Sequence, residues 1–201
     1  MTSEPTRRFV TTAGLAALGL AVRPAPARAL TEARARALVE GVVQDINRVI
    51  ASGRSLGRMI SEFERIFARY ADVSIIARST LGPAARRASA AQLRAYTEAF
   101  RSYVARKYGK RFREFIGGRL EVTGVKRVKR WYEVSCVAHL RGEAPFEVTF
   151  LVSDRGGRPL FFNLYIEGIN MLLTERTEVG AMLDRRRGDI DKLVADLKKA
   201  G

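Results

Sequence analysis

The chain has 201 residues but only one cysteine, one histidine and one tryptophan. The lone Cys136 has no partner for an intrachain disulfide. It lies in an alternating apolar segment, where a buried, inert thiol is expected. Cys136 and His139 are three residues apart in that segment. On a strand they point to opposite faces, which is wrong for a nucleophile–base pair. One Cys and one His also make no zinc site without carboxylates from elsewhere. The sequence has no G-x-S-x-G, no P-loop and no dinucleotide fingerprint. Asp72, Asp154 and Glu167 are scattered, with no spacing that brings carboxylates together. The residues therefore offer no covalent chemistry, no metal site and no cofactor site. Lysine is scarce too: 7 against 29 arginines, within a formal net charge of +15. That charge suits nucleic acid, an anionic membrane or simple solubility.

The first 29 residues decide among these. "TRRFVTTAGLAALGLAVRPAPARA" contains Arg7-Arg8, an apolar run from Phe9 to Val22, and Ala27-Arg28-Ala29, a small-x-small cleavage site. The run is too short to span a bilayer, and no later stretch is longer. The segment reads as an export signal cleaved after Ala29. The arginine pair fits a twin-arginine route, and Phe9 directly behind it leaves a Sec route open. Cleavage removes four Arg and one Glu, leaving about +12. Export argues against nucleic acid as a partner.

From Leu30 on, 47% apolar composition supports a substantial core in one domain over residues 30–201. Residues 30–117 have helical periodicity. Thr31 caps a helix carrying Leu38, Val42, Ile46 and Val49/Ile50 on one face. Met59/Ile60, Phe63, Ile66/Phe67 and Tyr70 mark a second, and "VSIIARSTLG" a short third. Residues 89–116 form the longest periodic stretch. Its Leu93, Tyr96, Phe100, Tyr103/Val104, Tyr108 and Phe115/Ile116 oppose Arg94, Arg101, Arg106 and Lys110. After Gly117-Gly118 the period becomes two, over residues 118–168. "RLEVTGVKRV", "WYEVSCVAHL", "PFEVTFLVS" and "PLFFNLYIEG" read as four strands joined by short turns, hence an antiparallel meander. Alternation places Val148 and Phe150 on the core face of the third strand. It places Leu160, Phe162, Leu164 and Ile166 together on that of the fourth. Residues 169–199 return to helix. The fold class is α+β, with helices covering the apolar face of a sheet.

Three stretches resemble the MlaC family, also called the toluene-tolerance Ttg2 family of periplasmic phospholipid-binding proteins. "FERIFARYADVSIIARSTLG" is similar to its phenylalanine-rich helix with aspartate and leucine-glycine stop. "ASAAQLRAYTEAFRSYVARKYGKRF" is like its glutamine-then-aromatic helix. "YIEGINMLLTERTEVGAML", followed by Gly188-Asp189-Ile190-Asp191 and Leu193, looks like its strand–glutamate–glycine–helix ending. The match runs from about residue 31 to 198. Three features depart from the family pattern. "PAARR" replaces a usual tryptophan, Asn163 stands at an aspartate's place, and Asn170 stands at a serine's.

The resemblance implies a twisted antiparallel sheet of about four strands, NTF2-like, packed by N-terminal and C-terminal helices around an apolar lipid pocket. It implies a monomeric periplasmic carrier without catalysis or cofactor. Its cargo would be phospholipid or a related membrane lipid, a hopanoid-like polycyclic lipid included. Its partners would be an inner-membrane MCE-type ABC transporter complex and an outer-membrane lipoprotein complex. On this reading the pocket is lined by Phe63, Phe67, Ile76, Phe100, Tyr103 and Val104 from helices and by Val148, Phe150, Leu164 and Ile166 from the sheet. Met171 and Leu172 stand near its mouth, with Gly168 turning the last strand so that "NMLL" caps one end. Two other classes are open: a small-molecule enzyme on the same scaffold, which needs carboxylates or His139 converging inside, and a basic interaction module without a pocket.

Overall fold

The computed structural model describes residues 29–201, and of residues 112 and 113 the backbone alone. The twin arginine and the apolar run of the export segment lie outside the described residues. Six α-helices are present among the described residues: α1 (Glu32–Ala51), α2 (Leu56–Tyr70), α3 (Val73–Leu81), α4 (Ala90–Gly109), α5 (Met171–Arg185) and α6 (Ile190–Lys199). Between α4 and α5 run β1 (Arg119–Val128), β2 (Trp131–His139), β3 (Phe146–Ser153), β4 (Leu160–Ile166) and β5 (Ile169–Asn170). The five strands pair antiparallel in chain order, β1-β2-β3-β4-β5. This is the expected α+β meander with one short strand added.

Local chemistry places the helix starts. Ser89 and Gln92 form a reciprocal capping box on α4. Thr31, Asp72 and Asp189 each accept a backbone N–H of the first turn of α1, α3 and α6. Helix α4 ends at Gly109, earlier than the aromatic spacing predicts. There a methyl group would stand 2.8 Å from Ile60 Cγ1, so only glycine lets α4 approach α2 this closely. The spacing continues to Phe115 because that ring leaves the helix and meets Phe146 edge-on at 6.4 Å.

The added strand changes the reading of "YIEGIN". The expected strand-to-helix break is a two-residue hairpin. Tyr165 pairs with Asn170 and Ile166 with Ile169. Glu167 and Gly168 both take positive φ, 48° and 77°, the combination a type I′ turn requires. Asn170 then caps α5, its Oδ1 accepting from Leu173 N at 3.1 Å. Asn163 steadies that cap: its Oδ1 accepts from Leu172 N at 3.0 Å, and its Nδ2 donates to Asn170 Oδ1 at 3.0 Å. The two departures from the family pattern thus act as one unit, an asparagine pair that fixes where α5 begins.

Helix α1 lies on β1 and β2, and α2 between α1 and α4. Helix α3 contacts α4, α5 and β4, and α6 packs along α4. At the open edge of β1 the Asn47 amide donates to Leu120 O and accepts from Leu120 N, each at 3.0 Å. Two bulges correct the simple alternation. One, at Thr123, lets both Val122 and Val125 face the helices, opposite Cys136 and Val134. The other, at Phe162, pairs Val152 with Phe161 while Leu151 pairs with Asn163. Phe161 therefore points inward, and the predicted inward position of Phe162 does not hold, while Leu160 is buried as expected. Phe162 meets Trp131 edge-on at 6.2 Å on the other face.

This bulge has a measurable consequence. Phe161→Ala should cost about 3–5 kcal/mol, as for a buried ring, while Phe162→Ala should cost about 1 kcal/mol. Chemical denaturation of the two variants checks the order, and alternation without the bulge expects it reversed.

Candidate functional site

The residues expected to line a pocket meet in the space between the sheet and α2, α3 and α4. Phe63 and Phe67 stack at 6.5 Å on α2. Phe67 reaches Phe161 at 6.2 Å, and Phe161 meets Phe150 at 5.4 Å. Val148 and Phe150 continue along β3, paired with Ile166 and Leu164 on β4. From α4, Phe100 contacts Tyr96 at 5.8 Å and Tyr103 at 6.2 Å. Val104, Ile76, Val148, Phe150 and Phe67 are buried with them in one continuous apolar cluster. Leu164, Ile166, Met171 and Leu172 are half-buried, at the β4–β5 edge and the first turn of α5. Beyond them the surface itself is apolar: Ile169 and Leu173 are 58% and 59% exposed. Burial thus falls from Phe100, at 0% exposure, to the half-buried Leu164, Ile166 and Leu172 that pack against the same cluster. Sequence reading placed Tyr96 on the apolar stripe of α4 without counting it among the pocket residues, and it missed Phe161 because of the bulge.

Two clefts open on the helical side, of about 270 and 260 Å³. They are lined largely by charged residues of α1, α2 and α4, and none of the twelve pocket candidates borders either one.

Cys136 is fully buried, and burial pushes its thiol up to about 12. That leaves no thiolate at neutral pH. His139 faces the other side of β2, its Nε2 3.5 Å from Glu121 Oε2. Two carboxylates do converge, on α5. Lys107 on α4 donates to Glu175 Oε1 at 2.7 Å and also to Glu178 Oε2. Tyr103 donates to Glu178 Oε2 at 2.8 Å, and Tyr108 donates to Glu175 Oε1. Burial, then the neighbouring carboxylates, push both phenols above their usual range. For Glu178 burial acts upward, but hydrogen bonds from Lys107 and Tyr103 outweigh it and hold the carboxyl below its usual range. These shifts run away from neutrality, unlike those of a working acid or base. The cluster is an ion-paired clasp between α4 and α5. Among the described residues no group of three or more His, Cys, Asp or Glu is placed to hold a metal ion.

A five-strand antiparallel sheet packed by helices over one buried apolar cluster defines a fold of the α+β class. The family model "MlaC protein" matches residues 37–199, and the chain belongs to this family. No curated protein matches it. Among solved structures it is similar to a phospholipid-binding protein from Ralstonia solanacearum, determined in complex with a phospholipid. That similarity has a TM-score of 0.70 at 17% identity, covering 82% of this chain and 95% of the other. At that identity the likeness is one of fold.

The clasp generates a test. Lys107→Met leaves the 4%-exposed Glu175 without its cation and should cost about 3 kcal/mol. Replacing Glu175 by Met as well should restore most of the loss, as measured by thermal and urea unfolding.

Proposed function

We propose that the protein is a periplasmic carrier that holds the tails of a phospholipid between the inner sheet face and the helices. It would act as a monomer, moving lipid between the outer membrane, with its lipoprotein complex, and an inner-membrane MCE-type ABC transporter. The observation that carries this reading is the apolar cluster that runs from Phe100 to the half-buried Leu164 and Ile166, with the exposed Ile169 paired to Ile166 at its margin. Family membership supports it, and so does the phospholipid seen in the Ralstonia protein.

The energetics explain why the interior rather than the surface does the work. Each methylene removed from water gains about 0.8 kcal/mol, so two acyl chains left in water would cost on the order of 20 kcal/mol. A carrier must enclose tails but can leave a headgroup wet. Loading then requires the side chains now filling the interior to part. The half-buried Leu164, Ile166, Met171 and Leu172 are placed to move first.

Processing after Ala29 has local support. Leu30 N donates to Asp154 Oδ2 at 2.9 Å, and the Leu30 side chain packs against the core. Cleavage at that bond would turn the amide into an ammonium already facing a carboxylate. N-terminal sequencing of the exported protein should begin at Leu30. Asp154→Asn should then destabilise the mature chain more than the precursor.

The carrier reading is tested by extraction of labelled phospholipid from vesicles. Leu164→Asp places a charge on the apolar cluster at a half-buried, tolerant position, and should abolish extraction while circular dichroism stays native. Phe100→Asp should do the same if it folds. Wild-type extraction by folded Leu164→Asp would sink the proposal.

A further inference from the structure

The lipid reading makes no use of the arginines. Many stand singly on the surface, but four converge on the larger cleft, between the C-terminal half of α1 and α2. Two carboxylates hold them in place. Asp45 binds Arg48 at 2.6 Å and Arg69 at 3.7 Å. Glu62 binds Arg54 at 3.1 Å and Arg65 at 2.9 Å. Tyr70 donates to the second oxygen of Asp45 at 2.8 Å, so this carboxylate is fixed from two sides.

Depth separates the two signs of charge. The side chains of Asp45 and Glu62 are 16% and 29% exposed, while the four arginines range from 50% to 74%. The carboxylates thus form the lower layer and the guanidinium groups the rim. Each guanidinium is held through Nη1, and its remaining donors have no acceptor among the described residues. Four positive charges face two negative ones, which leaves an excess that an anion would balance.

From this geometry we propose that the α1–α2 cleft binds a phosphate group. Guanidinium forks match phosphate oxygens in bidentate fashion, and pre-ordered forks lose less entropy on binding. About 270 Å³ lies below the usual range for drug-sized ligands, roughly 300–1,000 Å³, and suits a small anionic group. The group could be free phosphate or the phosphodiester of a lipid headgroup at a membrane surface. The cleft is separate from the twelve pocket candidates, so failure of this proposal leaves the carrier reading standing.

The test titrates the mature protein with inorganic phosphate while following arginine side-chain NMR signals. The variant Arg65→Gln/Arg69→Gln changes two strongly exposed residues and should fold. Lys198→Gln/Lys199→Gln on α6 removes equal charge elsewhere. Phosphate should move the cleft signals in the wild type. Binding should weaken about tenfold or more in the cleft variant, and by about twofold or less in the α6 variant. A second arm measures binding to vesicles with and without phosphatidylglycerol. Parallel loss in the cleft variant, with competition by phosphate, assigns the site to lipid headgroups. Loss confined to the first arm assigns it to free phosphate. The proposal is overturned if millimolar phosphate leaves the wild-type arginine signals unmoved, or if the α6 variant loses as much as the cleft variant.

Discussion

The ring contact between Phe67 and Phe161 joins the helical half of the molecule to the sheet. Phe161 turns inward only because Phe162 is an extra residue in β4. Turned inward, it touches Phe67 on α2, and through Phe67 the stacked Phe63. The backbone reinforces the junction, since Asp72 N donates to Phe161 O at 2.8 Å while the Asp72 side chain caps α3. Sheet, α2 and the start of α3 thus share one strand position. Without the bulge Phe161 would face away and Phe162 would take its inward place.

Much of this layout was legible in the sequence. The change of period after Gly117-Gly118 marks the helix-to-sheet boundary, and the four longer strands fall where alternation places them. What alternation cannot supply is a one-residue insertion, because one extra residue moves every earlier side chain of the strand to the other face. The Glu167-Gly168 turn was read as a break for a related reason. Two residues of β5 are too few for a periodic signal, and Glu167 is not a residue expected at positive φ.

The candidate site divides in the same way. Val148, Phe150, Phe100 and Tyr103 could be placed on core-facing stripes from spacing alone. Spacing does not tell core from cavity lining, since both require apolar groups on an inner face. The Lys107–Glu175–Glu178 clasp was not legible at all. Its partners lie 68 and 71 residues apart, and charged residues on helices ordinarily face solvent. The arginine cleft was hidden by abundance: with 29 arginines, no subset stands out until folding brings Arg48, Arg54, Arg65 and Arg69 together.

A packed apolar cluster and a carrier's role are compatible if lipid tails replace contacts that the side chains make with one another. Both states then bury apolar surface, and the cost of opening is met by the cargo. The clasp between α4 and α5 would hold the remainder of the fold while the β4–β5 edge gives way. The most direct measurement is native mass spectrometry of the mature protein, prepared without detergent and offered phospholipid vesicles. The expected result is an added mass equal to one membrane lipid, lost when Leu164 is replaced by Asp. A protein that keeps its bare mass throughout would contradict the account.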